Sequence, residues 1–350
     1  MPANHFGVVI GISHYPGISN LHGPVIDARA FHDWLVDPEG GQVPESNVEL
    51  ITTPAAGIPF PDAYDARPIK REIDRALERL NIQAKSIKDN PQRWRDSRLY
   101  FYVAGHGIMP GRGETALLLA DARTGMYSNL ELRSYLDWYR RCGLFQEVVV
   151  FADCCRNSVS QVEPSPVPFS NCARPELQVF TLVGYAAALG KPAYEEVEMS
   201  LPADERRGYF TKALIDGLSG GARDDPDFEA ITAGTLAQYV AAAVADATRN
   251  KPVPQQVEMP ADLVRPIILG NRKAEWACTV TIRFPIGWTR PVEIPFHNGQ
   301  RAAHDPAAGP WTINLQPGVY GVVLPGTFDG SPFAGKGLFA ITGGSCDVQL

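Results

Sequence analysis

The chain has 350 residues, of which 45% are hydrophobic and 20% charged, and a formal charge of −7. That length holds two domains with a real core. The acidic balance and the lack of any Lys/Arg stripe argue against nucleic acid as a partner. No run of 18 apolar residues occurs, so no membrane span is expected. The opening MPANHFGVVIGISHY lacks the basic flank and small-residue cleavage site of a secretory leader and reads as a core strand.

In chain order, short apolar runs rich in β-branched and aromatic residues predict strands at 6–12, 98–104, 116–120, 147–152 and 179–186. Such runs suit strands covered on both faces. Between them, PIKREIDRALERL spaces Ile69, Ile73, Leu77 and Leu80 on one helical face behind Pro68 at a first-turn position. SNLELRSYLDWYRRCG predicts a helix with Ser128 and Glu131 as a capping box, Arg140 and Arg141 in the last turn, and a stop at Gly143. Two further helices are expected at 209–218 and 233–247. The alternation implies an α/β fold, a mostly parallel sheet flanked by helices. The Pro/Ser-rich stretches 156–178 and 189–208 read as exposed loops, functional or cleavable.

Past about 272 the pattern changes. WACTVTIRF alternates Cys278, Val280, Ile282 and Phe284 with polar residues, and WTINLQPGVYGVVLPG alternates Trp311, Ile313 and Leu315 before a Pro317–Gly318 turn. A small all-β, sandwich-like domain over 272–350 is expected behind a first domain of 1–271. Core packing is the expected role of Trp288, Trp311 and Tyr320. The six cysteines (Cys142, Cys154, Cys155, Cys172, Cys278 and Cys346) show no zinc or haem-attachment spacing. They are expected as free thiols in a reducing cytoplasm.

Two stretches carry the chemistry. LYFYVAGHGIMPG (99–111) ends a strand on His106 between glycines, and VVVFADCCRNS, 49 residues on, ends another on Asp153, Cys154 and Cys155. Ligands sit at the carboxyl ends of strands in a parallel α/β sheet. If the two strands are neighbours, a cysteine and His106 meet in one crevice, where imidazole activates a thiol to thiolate. The Gly107 N–H, with the nucleophile's own N–H, would form an oxyanion hole. Strand alternation does not choose between Cys154 and Cys155.

These segments resemble those of caspase-like cysteine peptidases, the clan of caspases, metacaspases and paracaspases. DCCRN stands where Q-A-C-[RQG]-G falls, and YVAGHG, about 50 residues upstream, looks like the histidine segment. LHGPVIDARAFHDWL (21–35) resembles the N-terminal metacaspase stretch, and YAAALGKPAYE…RRGYFTKALIDGL looks like the start of the small subunit. The likeness spans about 5–270. It implies a caspase-like fold, a bacterial-type enzyme, Cys155 as nucleophile, His106 as base, and Gly107 with Cys155 as the oxyanion hole. Leu21 replaces the first arginine of the Asp-selective caspase pocket, Asp153 replaces its glutamine, and Asp27 matches a metacaspase carboxylate. Two desolvated carboxylates favour a cation, so cleavage after Arg or Lys is implied.

Protein or peptide substrates follow from the resemblance, with a regulatory protein docked on the β-domain. No metal or cofactor is expected. Asp121 and Glu131 are too thin a cluster to imply calcium dependence. Arg206 and Arg207, in DERRG (204–208), are candidate self-cleavage sites. The competing expectation is an inactive caspase-like scaffold whose β-domain binds a partner. A phosphate-binding α/β domain is disfavoured because GISHYPG is not G-x-G-x-x-G.

Overall fold

The computed structural model describes residues 4–350 apart from 55–61, 111–114, 160–161, 171–175, 197–205, 223–229, 261–266, 271–277, 286, 296–299, 316–317, 325–337 and 342–344. The described elements fall into two compact units, residues 1–212 with 247–267, and residues 213–246 with 268–350. This partition groups 213–246 with the C-terminal strands, whereas the sequence division at 271/272 kept them in the first domain.

The first unit runs β1 (His5–Gly11), α1 (Pro24–Val36), β2 (Val48–Thr52), α2 (Lys70–Lys88), α3 (Pro91–Arg95), β3 (Arg98–Ala104), β4 (Gly107–Met109), β5 (Ala116–Leu118), β6 (Asn129–Glu131), α4 (Leu132–Cys142), β7 (Glu147–Asp153), β8 (Asn157–Ser158) and β9 (Phe180–Tyr185). Helix α5 (Tyr209–Asp216) crosses the division. Five strands form one parallel sheet in the order β2-β1-β3-β7-β9. Every residue of β3 and β7 is buried, because helices cover both faces. On one face Phe31 of α1 stacks on Tyr102 at 4.5 Å. On the other, Leu99, Phe101, Val148 and Val150 join Ile73, Leu77 and Leu80 of α2 and Tyr135 and Tyr139 of α4 in one core.

Three predicted details change. The run 116–120 lies outside the main sheet: β5 sits in a four-stranded sheet of order β6-β5-β4-β8. Helix α4 starts at Leu132, not at 129, because 129–131 pair as a strand with β5. Glu131 is then the N-cap, accepting from the Arg133 and Ser134 amides at 2.7 Å each, while the Ser128 hydroxyl donates to Asp121. Helix α2 likewise begins at Lys70, capped through the Glu72 carboxylate and the Ile69 amide, so Pro68 precedes it. Among the cysteines, Cys142 is disulfide-bonded, which corrects the expectation of free thiols. Cys154, Cys155 and Cys278 are free.

The second unit holds β10 (Ile231–Thr232), α6 (Ala233–Ala247), β11 (Ile268–Gly270), β12 (Cys278–Arg283), β13 (Val292–Pro295), β14 (Arg301–His304), β15 (Trp311–Leu315), β16 (Gly318–Gly321), β17 (Leu338–Ile341) and β18 (Ser345–Gln349). Its strands form small sheets, β15-β12-β18, β13-β14 and β16-β17. Alternate residues Cys278, Val280 and Ile282 of β12 meet Trp311, Leu315 and Tyr320 in a separate core. Trp288 is 41% exposed, contrary to its expected core role. Among the described residues, no helix is long and apolar enough to cross a membrane.

Candidate active site

Strands β3 and β7 are hydrogen-bonded neighbours, so the condition set by the sequence is met. Their register pairs Arg98 with Glu147 through Ala104 with Asp153, an offset of 49. Beyond the strand ends, β4 and β8 pair in parallel with Ile108 opposite Asn157 and Met109 opposite Ser158, again an offset of 49. By that shared offset, residues 106 and 155 fall in register between the two ladders, on the rung that the flanking pairs define. The approach there is close: a Cβ on Gly107 would collide with the Cys155 carbonyl oxygen and lie 2.5 Å from Cys154 Sγ. Only glycine fits beside the histidine.

The histidine is held from behind. Its Nε2 lies 2.7 Å from the Ser19 carbonyl oxygen, an acceptor only. The Nε2 proton therefore points at Ser19 and Nδ1 carries the free lone pair. The His106 amide donates to the Tyr15 hydroxyl at 2.9 Å, and that hydroxyl donates to the Leu118 carbonyl. The two rings pack with centroids 4.8 Å apart. Burial lowers the His106 pKa, opposed by the Ser19 contact.

The two cysteines differ. Cys154 is fully buried under Gly107, and desolvation raises its thiol far above the usual range. Cys155 is half-exposed. The Ala193 amide donates to its Sγ at 3.3 Å, and the thiol faces the Ala193 carbonyl at 3.5 Å. Burial also raises the Cys155 pKa, with Asp153 and Glu195 adding to the shift and the Ala193 amide opposing it. The imidazole is thus shifted down and the thiol up. Desolvation is the largest cause in both, since burial disfavours the charged form of either group.

Arg156 anchors the turn that carries Cys155. Its guanidinium pairs with Glu258 at 2.5 Å, donates to the Ala187 carbonyl at 3.1 Å and lies 4.1 Å over the Tyr185 ring. Its backbone exchanges hydrogen bonds with Gly190 and Lys191, tying residue 155 to the loop that carries Ala193.

Asp27 and Asp153, both buried, converge on the backbone entering α5. Asp27 accepts from the Gly208 amide at 2.7 Å and from Arg207 Nε at 3.0 Å. Asp153 accepts from the Thr211 amide and hydroxyl at 3.1 and 2.6 Å, in the first turn of α5. A Cβ on Gly208 would collide with the Asp153 carboxylate and lie 3.1 Å from Asp27 Oδ2. Burial and proximity push both carboxyls upward in pKa. Arg206 and Arg207 are half-buried, not part of an exposed loop.

The sequence reading missed Glu195. Its carboxylate accepts from the Gly23 amide at 2.8 Å and the His22 amide at 3.1 Å, at the entry to α1. Its field raises the pKa of His106, Cys155 and Asp153. Ser19, Tyr15 and Ala193 were missed as well. The first two lie just past the carboxyl end of β1, where a parallel sheet places its sites, so that loop was the signal to search.

A caspase-domain family model matches residues 5–264. The chain belongs to the caspase-domain peptidase family. A probable protease of a Desulfuromonadales bacterium is 29% identical over 231 residues, 62% of this chain and 26% of that protein. The chain thus spans about a quarter of the length of that relative. Caspase-1 of Spodoptera frugiperda aligns with a TM-score of 0.47 at 14% identity, over 79% of this chain and 93% of the other. A Geobacter sulfurreducens protein gives 0.47 at 12% identity, over 77% and 97%. Within this family-matched region lie all the sequence-predicted site residues.

Proposed function

We propose that the chain is a cysteine endopeptidase that cuts after Arg or Lys, with Cys155 as nucleophile and His106 as general base. What supports this is the register that brackets the two residues: half-buried Cys155 and His106, whose Nε2 proton faces Ser19, both lie between the Ala104–Asp153 and Ile108–Asn157 pairs. The thiol proton passes to Nδ1 as Sγ adds to the scissile carbonyl carbon. The Gly107 and Cys155 amides receive the oxyanion. Collapse expels the amine, which takes the proton from His106, and leaves a thioester. Water, deprotonated by the same imidazole, then releases the acid and restores the thiol.

Three carboxylates, Asp27, Asp153 and Glu195, support a basic P1 preference, because a guanidinium or ammonium relieves their mutual repulsion and an Asp adds to it. The same preference makes Arg206 and Arg207 self-processing candidates. Thiol and imidazole complete the proposed cycle without a metal, and Glu131 caps α4, so no step is assigned to calcium. A cytoplasmic location and a regulatory protein on the C-terminal strands belong to the same proposal.

The test is a panel of fluorogenic peptides with Arg, Lys or Asp at P1, run with the parent, Cys155→Ala and His106→Ala. Turnover of Arg and Lys peptides that disappears in both variants is expected. Turnover of Asp peptides above Arg peptides overturns the specificity, and no turnover by the folded parent returns the scaffold reading.

A further inference from the structure

The anionic slot beside the rung already holds a cation, and it is the chain's own. Arg207 donates from Nε to Asp27 Oδ1 at 3.0 Å. Its side chain is 21% exposed, against 2% for Asp27. Asp27 Oδ2 is taken by the Gly208 amide, and Asp153 Oδ2 by Thr211. The backbone is placed to deliver this arginine: Glu195 and Gly208 form an antiparallel bridge, and the Glu196 amide donates to the Arg207 carbonyl at 2.8 Å. The third carboxylate, Glu195, is therefore held next to the residue that follows Arg207.

The fit is incomplete. Arg207 reaches Asp27 through Nε, one donor where a guanidinium fork offers two parallel ones. Among the described residues its buried Nη2 has no hydrogen-bond partner, a donor whose desolvation they do not compensate. A peptide guanidinium entering from the Cys155 side finds Asp27 covered while Arg207 stays. With Asp27 2% exposed and each oxygen already engaged, an incoming cation competes with Arg207 for it.

We propose that Arg207 is a specificity-determining residue that occupies the slot as an internal competitor, and that a basic P1 side chain binds by displacing it from Asp27. This rests on the basic-slot reading above. The apparent affinity for a cationic group then falls by the fraction of molecules whose slot is open. Only ligands that pair with Asp27 better than Arg207 does are admitted, which favours planar, bidentate cations over Lys.

Benzamidine, a planar amidinium without a scissile bond, is the probe. Its affinity is measured calorimetrically on full-length Cys155→Ala and on the same chain carrying Arg207→Ala, Arg207→Lys or Asp27→Asn. The inference expects Arg207→Ala to bind benzamidine at least about tenfold tighter, Arg207→Lys to fall between, and Asp27→Asn to lose binding. Equal or weaker binding by Arg207→Ala, with benzamidine still bound by Cys155→Ala, overturns the competitor while leaving the basic slot intact. No binding by any variant removes the slot and the inference together.

A second readout leaves residue 207 unaltered. Phenylglyoxal labelling of Cys155→Ala, mapped by peptide mass, should modify Arg207 faster when benzamidine saturates the slot. Unchanged or slower labelling overturns the displacement even if the substituted chains fail to fold.

Discussion

Ala104 stands opposite Asp153 and Ile108 opposite Asn157, the same offset of 49 residues, so two ladders bracket His106 and Cys155. The pairing is a property of two ladders and not of one contact. A slip of one residue in either would turn every side chain to the other face, taking Leu99, Phe101, Val148 and Val150 out of the core. The burial that builds the sheet therefore sets the geometry of the candidate site.

Gly107 is the most exacting position in this arrangement. An added methyl meets the Cys155 carbonyl and the Cys154 sulfur, neither of which is a flexible chain end. Gly107→Ala is expected to lower kcat/KM on Arg-P1 peptides by about 100-fold or more. The parallel β4–β8 pairing must open to admit the methyl. Near-parental turnover by this variant would show that the rung does not carry the chemistry.

The pH profile separates the dyad from the slot. His106 works as a base only when neutral, and burial lowers its pKa, so the acid limb of kcat is expected below the ordinary histidine value of about 6.5. The free slot behaves oppositely. Asp27 and Asp153 are pushed upward, so they hold protons at pH values where ordinary carboxylates have lost them. A cationic P1 group needs them ionised. The acid limb of kcat/KM on Arg-P1 peptides is therefore expected at higher pH than that of kcat. A neutral P1 peptide should not show this separation; coincident limbs for Arg peptides would remove the slot from recognition.

Much of this was legible in residues whose environment is uniform. A strand buried on both faces reads as an unbroken apolar run, so β1, β3, β7 and β9 stand out. β2 did not: VELIT lies at the sheet edge, half-exposed, with Glu49 paired to Arg79. The His106 and Cys155 segments were visible as apolar runs that end on polar clusters. Ser19 and Ala193 were not, because their shortest contacts to His106 and Cys155 run through backbone atoms, which residue type does not reveal. Glu195 was hidden for another reason: one acid among several in a loop gains meaning only when Gly23 and His22 are brought beside it.

Asp27 and Asp153 can be tested by shape-conserving amides. Asn at 27 or 153 keeps an oxygen for the Gly208 or Thr211 amide while removing the charge. Each change is expected to lower kcat/KM for Arg-P1 peptides by about 10²-fold, the scale of losing one buried charged partner. Turnover of a neutral P1 peptide should hold steady or rise. An equal loss on both peptides would assign these carboxylates to the folding of α5 alone.

The opposite end of the same two strands offers a stability test that leaves the site untouched. Arg98 of β3 donates from Nε and Nη2 to Glu147 of β7 at 2.8 and 2.5 Å and from Nη1 to the Tyr100 hydroxyl at 2.8 Å. Both ion-pair side chains are under one-tenth exposed. Removing one partner strands the other's charge in a medium that solvates it poorly. Glu147→Ala is expected to cost about 3–5 kcal/mol and to lower the unfolding midpoint by roughly 10 °C. Replacing both, Arg98→Met with Glu147→Leu, should recover most of that loss, because no uncompensated charge remains. Activity per folded molecule should match the parent in both variants, since residues 98 and 147 lie six residues below the strand ends that carry the site. A double variant no more stable than Glu147→Ala would show that the pair specifies the β3–β7 register itself, and activity would then fall with it.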